Sequence, residues 1–333
     1  MEKTIAQDTA ARPRINPYAA VFFGVIAVSI SSILIKLSSA PALAIAAYRM
    51  LLTFLILGPA ALATSSGQLR RVSGGDLVLS VASGLFLALH FISWITSLKY
   101  TSVASSVVLV TMQPVFVVIG GYFFLRERVP KNAFYGALVA MAGSIFIGLN
   151  DARAGQESLL GDLLALAGAV LVAAYVVLGR GLRQRLSLLP YTFLVYGTAS
   201  VVLLAASLLS GTPLWPYSAY NFALFLALAI FPTILGHTVF NWALRYVKAA
   251  VISVSILGEP VGAIILAIPI LREVPGPVQL LGGAITLGGM YWFVRASSAP
   301  PPEIRRFTGE KRRWRFSSEI INVGKGCWKR RNQ

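Results

Sequence analysis

Two side chains that are charged at neutral pH when free in water, Arg49 and Glu259, stand inside long apolar stretches of this 333-residue chain, where a charge is costly. Glu259 suits either proton coupling and binding of a cationic group, or a structural role as a hydrogen-bonded carboxylate near a helix end. Arg49 suits recognition of a substrate carboxylate, because a guanidinium binds that group through a fork of donors. It could instead snorkel to the membrane interface as an anchor, or pair with Glu259. The sequence alone leaves these alternatives open.

The chain has two histidines, His90 and His237, and they are 147 residues apart. Residues four apart share a helix face, so His90 is expected beside Trp94 and His237 beside Asn241. These faces either line a substrate cavity, where imidazole titrates or hydrogen-bonds the solute, or form interhelical hydrogen bonds that hold the helices together. Both interpretations stay open.

Aromatic residues in the apolar stretches have two possible roles. They could form the walls of a binding site, but tryptophan and tyrosine also gather at membrane interfaces, and the interface role is favoured here. The residues concerned are Trp94, Tyr175, Phe240 and Trp242.

The chain repeats itself at a spacing of 146 residues. Residues 98–143 and 244–289 align without a gap and share 12 identities in 46 positions. A fixed-period similarity is typical of a duplicated structural unit. Gln113-Pro114 matches Glu259-Pro260, so the copies differ by one carboxylate, and each proline is expected to kink its helix. The Arg-Glu pairs Arg126-Glu127 and Arg272-Glu273 are gating candidates, or solvated surface pairs of little energetic weight.

The composition identifies the elements that must position these residues. Hydrophobic residues make up 56% of the chain, charged residues make up 12%, and the mean hydropathy is +0.74, which excludes an ordinary soluble protein. The one cysteine, Cys327, lies outside the apolar stretches and supports neither a disulfide nor a metal site, and no cofactor is indicated. No cleaved signal peptide is expected. Ten apolar runs are long enough to cross a membrane as helices, and they are numbered here as spans 1 to 10: 18–37, 43–64, 77–98, 102–125, 132–149, 161–179, 190–210, 219–244, 249–271 and 277–295.

Lysine and arginine predict the orientation of the spans, because loops rich in them stay cytoplasmic. With the N-terminus inside, thirteen of these residues before the tail are cytoplasmic and four are external, namely Lys36, Lys99, Arg153 and Arg272. Both termini are then cytoplasmic. Since each copy holds five spans, an odd number, corresponding segments enter the membrane from opposite sides. The predicted fold is an all-α polytopic membrane protein with ten transmembrane helices in two inverted five-helix repeats, a design recurrent in alternating-access carriers.

The sequence resembles the EamA-type, ten-helix members of the drug/metabolite transporter superfamily over about residues 17–296. The resemblance is carried by Arg49, Leu98–Ser106, Pro114, Leu125–Glu127, Gly236–Tyr246, Gly258–Val261 and Leu271–Glu273. It implies a central cavity between two inverted halves and export of small metabolites or drugs, without indicating which. The expected organisation is a cytoplasmic segment 1–16, repeats 17–150 and 155–296, and a basic cytoplasmic tail 297–333.

The expected partners follow from this organisation. Residues 295–333 carry eleven basic and three acidic residues, part of a net charge of +17, so the tail is predicted to be disordered and to bind anionic lipids in preference to nucleic acid. The leading functional hypothesis is a secondary-active exporter in the cell (inner) membrane for a small organic metabolite such as an amino acid, driven by proton coupling or working by passive exchange. An intramembrane enzyme and a non-transporting receptor or scaffold are the alternatives, and neither needs two opposed halves. The sequence does not indicate the oligomeric state.

Overall fold

A computed structural model describes residues 15–125, 130–247, 252 and 255–298, and in these residues the chain forms helices and connecting turns without a strand. The basic tail and the loop holding Arg126 and Glu127 lie outside the described residues. The elements are α1 (Pro17–Ser29), α2 (Ser31–Leu37), α3 (Ala42–Arg70), α4 (Gly74–Tyr100), α5 (Val103–Val110), α6 (Gln113–Leu125), α7 (Lys131–Ala154), α8 (Gln156–Arg183), α9 (Leu188–Leu209), α10 (Ala219–Leu228), a π-helical segment (Ala229–Thr238), α11 (Val239–Ala243), α12 (Gly258–Leu271) and α13 (Pro277–Ser298).

The ten predicted spans correspond to these elements in order. Among the described residues, seven stretches are long and apolar enough to cross a membrane, and α12 and the apolar part of α7, Lys131–Ile147, are shorter apolar helices. Several helices continue beyond the apolar runs. For example, α3 reaches Arg70, but its backbone leaves helical geometry at Ser65 (φ −134°, ψ 15°), next to the predicted end at residue 64, and a second helical stretch follows this kink.

Four spans are not single regular α-helices, which the apolar runs did not predict. Span 1 breaks at Ile30, span 4 breaks at Thr111 and Met112, span 8 contains the π-helical segment, and α12 of span 9 begins after a turn at Ile256 and Leu257. Irregular backbone at membrane depth is tolerated where it is covered by protein or lines a cavity. The interruptions therefore indicate where a site should be sought.

Helix packing follows the internal repeat. Three pairs of equivalent spans pack against each other: α3 against α9, α5 against α12, and α7 against α13. Spans five apart along an alternating path cross the membrane in opposite directions, so the two five-helix repeats are inverted, and the predicted fold class is confirmed.

The contact between α7 and α13 depends on glycines that the repeat duplicates. A Cβ atom built on Gly136 would lie 2.4 Å from the backbone nitrogen of Phe293, and one on Gly289 would lie 2.3 Å from that of Ala140. Backbone atoms cannot move aside as a flexible side chain can. Small residues at such crossings let membrane helices approach closely.

Replacement of Gly289 by alanine should therefore lower the free energy of unfolding by about 1–3 kcal/mol, the usual cost of overpacking. The matched control is the adjacent Gly288, where an added Cβ meets no atom within 4 Å. Gly288→Ala should leave stability unchanged or slightly raised, because alanine favours helix more than glycine does. Thermal unfolding of both variants in detergent tests the prediction, and equal midpoints would contradict it.

Candidate functional site

One cavity brings together candidates from both repeats. It lies among spans 1 to 4, 6, 8 and 9, and its volume is about 50 Å³. Its lining includes all seven residues proposed from sequence for substrate binding or coupling, namely Arg49, His90, Trp94, Gln113, His237, Asn241 and Glu259. Among the described residues, the polar side chains singled out in separate spans thus converge on one place in the fold.

Arg49 is fully buried in α3 with its guanidinium only partly satisfied. Its Nε donates to Thr233 Oγ1 at 2.8 Å, and its Nη1 donates to Ser31 Oγ at 3.1 Å. Its Cζ lies 4.2 Å from the centre of the Phe91 ring, a cation–π distance. Nη2 has no hydrogen-bond partner in the structure. A buried donor left unpaired in a cavity wall is suited to an acceptor on a bound solute.

The partners of Arg49 come from the interruptions in the helices. Ser31 begins α2 directly after the break at Ile30, and Thr233 follows Pro232 in the π-helical segment. In that wide turn Thr233 Oγ1 donates to the carbonyl of Leu228, five residues earlier, at 2.8 Å. Its hydroxyl oxygen stays available to accept from Arg49. Sequence reasoning missed both hydroxyls, because serine and threonine in membrane helices often bond only to their own backbone.

Glu259 lies in the first turn of α12 and is half-buried. A carboxylate is favoured there by the helix dipole. The carboxylate makes no hydrogen bond with the residues that the structure describes, and Arg49 and Glu259 form no ion pair, although they attract each other electrostatically. The cavity thus holds a guanidinium with a spare donor and a carboxyl group with spare acceptors, and the two groups form no ion pair.

The two histidines contribute differently. His90 Nδ1 lies 2.9 Å from the carbonyl oxygen of Gly168 in α8. A carbonyl only accepts, so Nδ1 donates, and in a neutral ring Nε2 is left as an acceptor. His237, in the π-helical segment, has its ring edge-to-face with Phe91 at 5.7 Å and with Phe240 at 6.4 Å. His90 therefore makes an interhelical hydrogen bond and lines the cavity as well.

Asn241 belongs to a network of hydroxyl groups. Its Nδ2 donates to Tyr175 Oη at 2.6 Å and to Tyr196 Oη at 3.1 Å. Tyr196 Oη in turn lies 3.0 Å from Thr238 Oγ1. The network joins α8, α9 and span 8, so it holds the cavity wall in a defined shape. Tyr175 is 2% exposed, which places it in the protein interior and not at a membrane surface.

The other aromatic candidates divide between the cavity and its surroundings. Trp94 and Phe240 line the cavity, and the Trp94 ring stacks on His90 with centroids 6.0 Å apart and an interplanar angle of 10°. Trp242 instead packs against Tyr246 at 5.0 Å. The interface role favoured from sequence does not describe Trp94 or Phe240, because both are buried. Membrane depth cannot be read from an aromatic residue type alone.

Trp94 offers a second buried donor without a partner, its indole Nε1. Trp94→Phe retains an aromatic ring beside His90 and removes only this donor and part of the ring. We expect the unfolding free energy to fall by about 1–3 kcal/mol, because phenylalanine leaves part of the buried indole volume unfilled. We expect KM for the transported solute to rise roughly fivefold to tenfold if the indole binds it. An unchanged KM in a transport assay would contradict this assignment.

Gln113 and the two prolines lie where spans 4 and 9 restart as helices. Gln113 is 5% exposed and begins α6. It lines the cavity, and its copy Glu259 lines the same cavity. Pro114 and Pro260 lie in the first turn of α6 and α12, just beyond the breaks. The first turn of a helix has no intrahelical use for backbone donors, so proline is accommodated there.

The two gating candidates that the structure describes, Arg272 and Glu273, do not line the cavity. Arg272 is exposed and adopts the left-handed conformation at the end of α12, with φ 56°. Glu273 Oε1 accepts a hydrogen bond from the backbone nitrogen of Val103 at 2.6 Å, which joins the end of span 9 to the start of α5. Their copies, Arg126 and Glu127, are outside the described residues.

Helices of this length and apolarity, with a polar cavity shared by two inverted repeats, define a multi-pass membrane protein of the transporter class. The EamA-like transporter family matches residues 16–149 and again 159–295, and the chain belongs to this family. Membership implies a small-molecule substrate.

Two relatives illustrate the similarity. The chain is 25% identical over 244 residues to "Uncharacterized transporter YxxF" of Bacillus subtilis, covering 73% of this chain and 78% of that protein. It is 26% identical over 246 residues to "Probable terminal-alkyne amino-acid exporter" of Streptantibioticus cattleyicolor, covering 72% and 81%. A solved crystal structure with 21% identity has a TM-score of 0.62 and covers 85% of this chain and 98% of its own, which supports the fold.

Proposed function

We propose that this protein is a secondary-active carrier, and not an enzyme, that exports a small zwitterionic metabolite, such as an amino acid or a related compound, by alternating access. The observation that carries the proposal is the pair of unsatisfied charges in one cavity, the spare Nη2 donor of Arg49 and the free carboxylate of Glu259. The transporter names of the relatives support the class, and the name of the Streptantibioticus protein is compatible with this substrate type.

Substrate recognition in this proposal follows from charge. Arg49 Nη2, with Trp94 Nε1, binds the carboxylate of the solute, because buried donors without partners gain most from an ionised acceptor. Glu259 binds the ammonium group. His90 and Phe240 contribute apolar and aromatic surface beside these groups. A solute with only one of the two charges leaves one buried group unpaired and is bound more weakly.

The size of the cavity supports a conformational cycle. Its volume of about 50 Å³ is much smaller than the roughly 150 Å³ of an apolar cavity that holds benzene. The surrounding spans must therefore separate to admit an organic solute. Rocking of one inverted repeat against the other exposes a central site first to one face and then to the other.

The membrane setting is part of the proposal. We place the protein in the cell membrane with both termini cytoplasmic, from the distribution of lysine and arginine. We propose that the basic tail binds anionic lipids. We also propose that transport is coupled to protons and that Glu259 carries the coupled proton. Cysteine labelling in loops 126–131 and 272–277 tests the orientation, since reagent added to one face should reach only one of the two loops.

Transport into proteoliposomes containing the purified full-length chain tests the function. A panel of amino acids, with matched amines and carboxylic acids that carry one charge each, is assayed with and without a pH gradient. We expect flux of at least one zwitterion and weaker flux of its singly charged analogues. Absence of protein-dependent flux for every solute would contradict the carrier assignment.

A further inference from the structure

Two half-buried cations, one in each repeat, donate hydrogen bonds to main-chain carbonyl oxygens in equivalent interhelical connections. Lys36, near the end of α2, donates through Nζ to the carbonyl oxygen of Thr101 at 3.0 Å. Arg180, near the end of α8, donates through Nη1 to the carbonyl oxygens of Val247 at 3.0 Å and Leu244 at 2.9 Å. In each repeat a cation of the first span thus bonds the connection between the third and fourth spans.

The internal repeat relates these contacts to each other. The acceptors Thr101 and Val247 are 146 residues apart, the spacing of the duplication. The donors Lys36 and Arg180 are 144 residues apart. The two matches to the EamA-like family begin 143 residues apart and end 146 residues apart, so the spacing of the donors agrees with that of the repeat. Because the repeats are inverted, the two contacts lie at opposite ends of the bundle.

The Lys36 contact joins two walls of the cavity at one end. Val28 and Ser31 of span 1 line the cavity, as do Trp94 of span 3 and Val110 of span 4. Lys36 continues the first wall, and Thr101 connects the two spans of the second. Separation of these walls at this end requires the Lys36 contact to break.

The Arg180 contact has the corresponding position at the other end. Tyr175 and Val176 of span 6 line the cavity, as do Leu244 of span 8 and Ile252 of span 9. Arg180 lies one helical turn beyond Val176 and bonds the connection between spans 8 and 9. Both contacts are present in this structure, in keeping with the small volume of the cavity.

Further polar contacts reinforce the end that contains Lys36. Lys99 Nζ donates to the carbonyl oxygen of Ser38 at 3.0 Å, which ties span 3 to the connection after span 1. Glu273 accepts from the backbone nitrogen of Val103 and attracts Lys36 electrostatically. These contacts form a small cluster centred on residues 101–103, with Lys36 as the cation that bridges the cavity walls.

We propose that Lys36 and Arg180 are a pair of equivalent latches, and that release of one opens the cavity to one face of the membrane while the other keeps the opposite face closed. This inference rests on the proposed alternating-access function and adds the residues that govern access. A cation bonded to a main-chain carbonyl suits such a role, since the contact is strong when made and its acceptor does not depend on side-chain identity. Substitution of the two cations should therefore have opposite directional effects.

Side-resolved thiol labelling tests this pairing. Val110→Cys in a Cys327→Ser background places one reporter thiol in the cavity wall, and a membrane-impermeant maleimide is added to right-side-out or inside-out vesicles. Lys36→Met should raise the labelling rate from one face roughly tenfold, the effect on an equilibrium of losing one hydrogen bond from a charged group. Arg180→Met should do the same from the other face. Glu157→Gln and Arg245→Gln, which change exposed charges at helix ends, should label as the parent does.

Each outcome distinguishes the latches from the carrier function. If both methionine variants label faster from the same face, the latch proposal is wrong. It is also wrong if neither variant differs from a parent protein that transports. In both cases the proposed carrier function is unaffected. If neither the methionine variants nor Lys36→Gln and Arg180→Gln give folded protein by size-exclusion chromatography, the contacts are structural and the latch proposal is also overturned. Restoration of parental labelling by Lys36→Arg and Arg180→Lys would support it.

Discussion

Replacement of Arg49 by methionine should abolish measurable substrate flux, and replacement by lysine should weaken solute binding about tenfold to a hundredfold, the effect of losing one charged hydrogen bond. A single ammonium cannot at once occupy the positions of Nε toward Thr233, Nη1 toward Ser31 and the free Nη2. Methionine removes the charge altogether and fills much of the buried space. Binding of the zwitterion identified in the panel, measured by scintillation proximity in detergent, reports the effect.

The matched control for Arg49 is Arg71→Gln, which removes an exposed cation at the end of the same helix. It should bind the solute as the parent does. The methionine variant should remain folded, because it removes a buried charge and its desolvation cost, and the Thr233 hydroxyl keeps its bond to the carbonyl oxygen of Leu228. Retention of parental binding by a folded Arg49→Met protein would remove Arg49 from the site and leave it as a structural residue.

The second large effect is expected from moving the carboxylate between the two copies of the repeat. Glu259→Gln should reduce flux of the zwitterion at least tenfold and remove its response to a pH gradient, because the one unpaired carboxylate in the cavity lining is lost. Gln113→Glu introduces a carboxylate at the equivalent position of the first repeat. The double substitution Gln113→Glu with Glu259→Gln keeps the total charge and moves it to the other half.

Proteoliposome flux with and without a pH gradient separates these variants. If the carboxylate acts mainly through its charge in the cavity, the double variant should recover part of the flux lost in Glu259→Gln. If its place beside the start of α12 matters, flux should stay low. Unchanged gradient dependence in Glu259→Gln alone would exclude Glu259 from coupling, although the carrier function would stand.

The duplication made much of the fold predictable. Gapless identity between residues 98–143 and 244–289, together with the charge of the loops, led to ten spans in two inverted repeats. The breaks within spans 1, 4 and 8 were not predictable from the apolar runs, because hydropathy does not register a change of hydrogen-bond pattern. Pro232 in the π-helical segment was a local signal, since proline removes a backbone donor inside a helix.

The residues of the candidate site could be predicted from their types, but most of their contacts could not. Costly residues such as Arg49, Glu259 and the two histidines stood out within apolar sequence, and the structure places them around one cavity. The partners that orient Arg49 did not stand out, since a single serine or threonine in a membrane helix is common. Which aromatic residues face the cavity depends on helix rotation, which a uniformly apolar helix does not encode in its pattern.

The ends of the helices were the least predictable part. In the sequence, Lys36 and Arg180 resemble ordinary charges that flank membrane spans. Their positions indicate the orientation of the spans but not a contact. Their hydrogen bonds join residues 65 and 67 positions apart along the chain. Only the three-dimensional packing of span 1 against spans 3 and 4, and of span 6 against span 8, brings donor and acceptor together.

The central claim is that one cavity serves both faces of the membrane. Its most direct test is thiol labelling of Val110→Cys in a protein that retains Lys36 and Arg180. The Cys327→Ser background protein is treated with a membrane-impermeant maleimide from each face in turn, under conditions in which it transports. Alternating access predicts modification from both faces and protection from both by the transported zwitterion. Modification from one face only, with the solute giving no protection, would contradict the account.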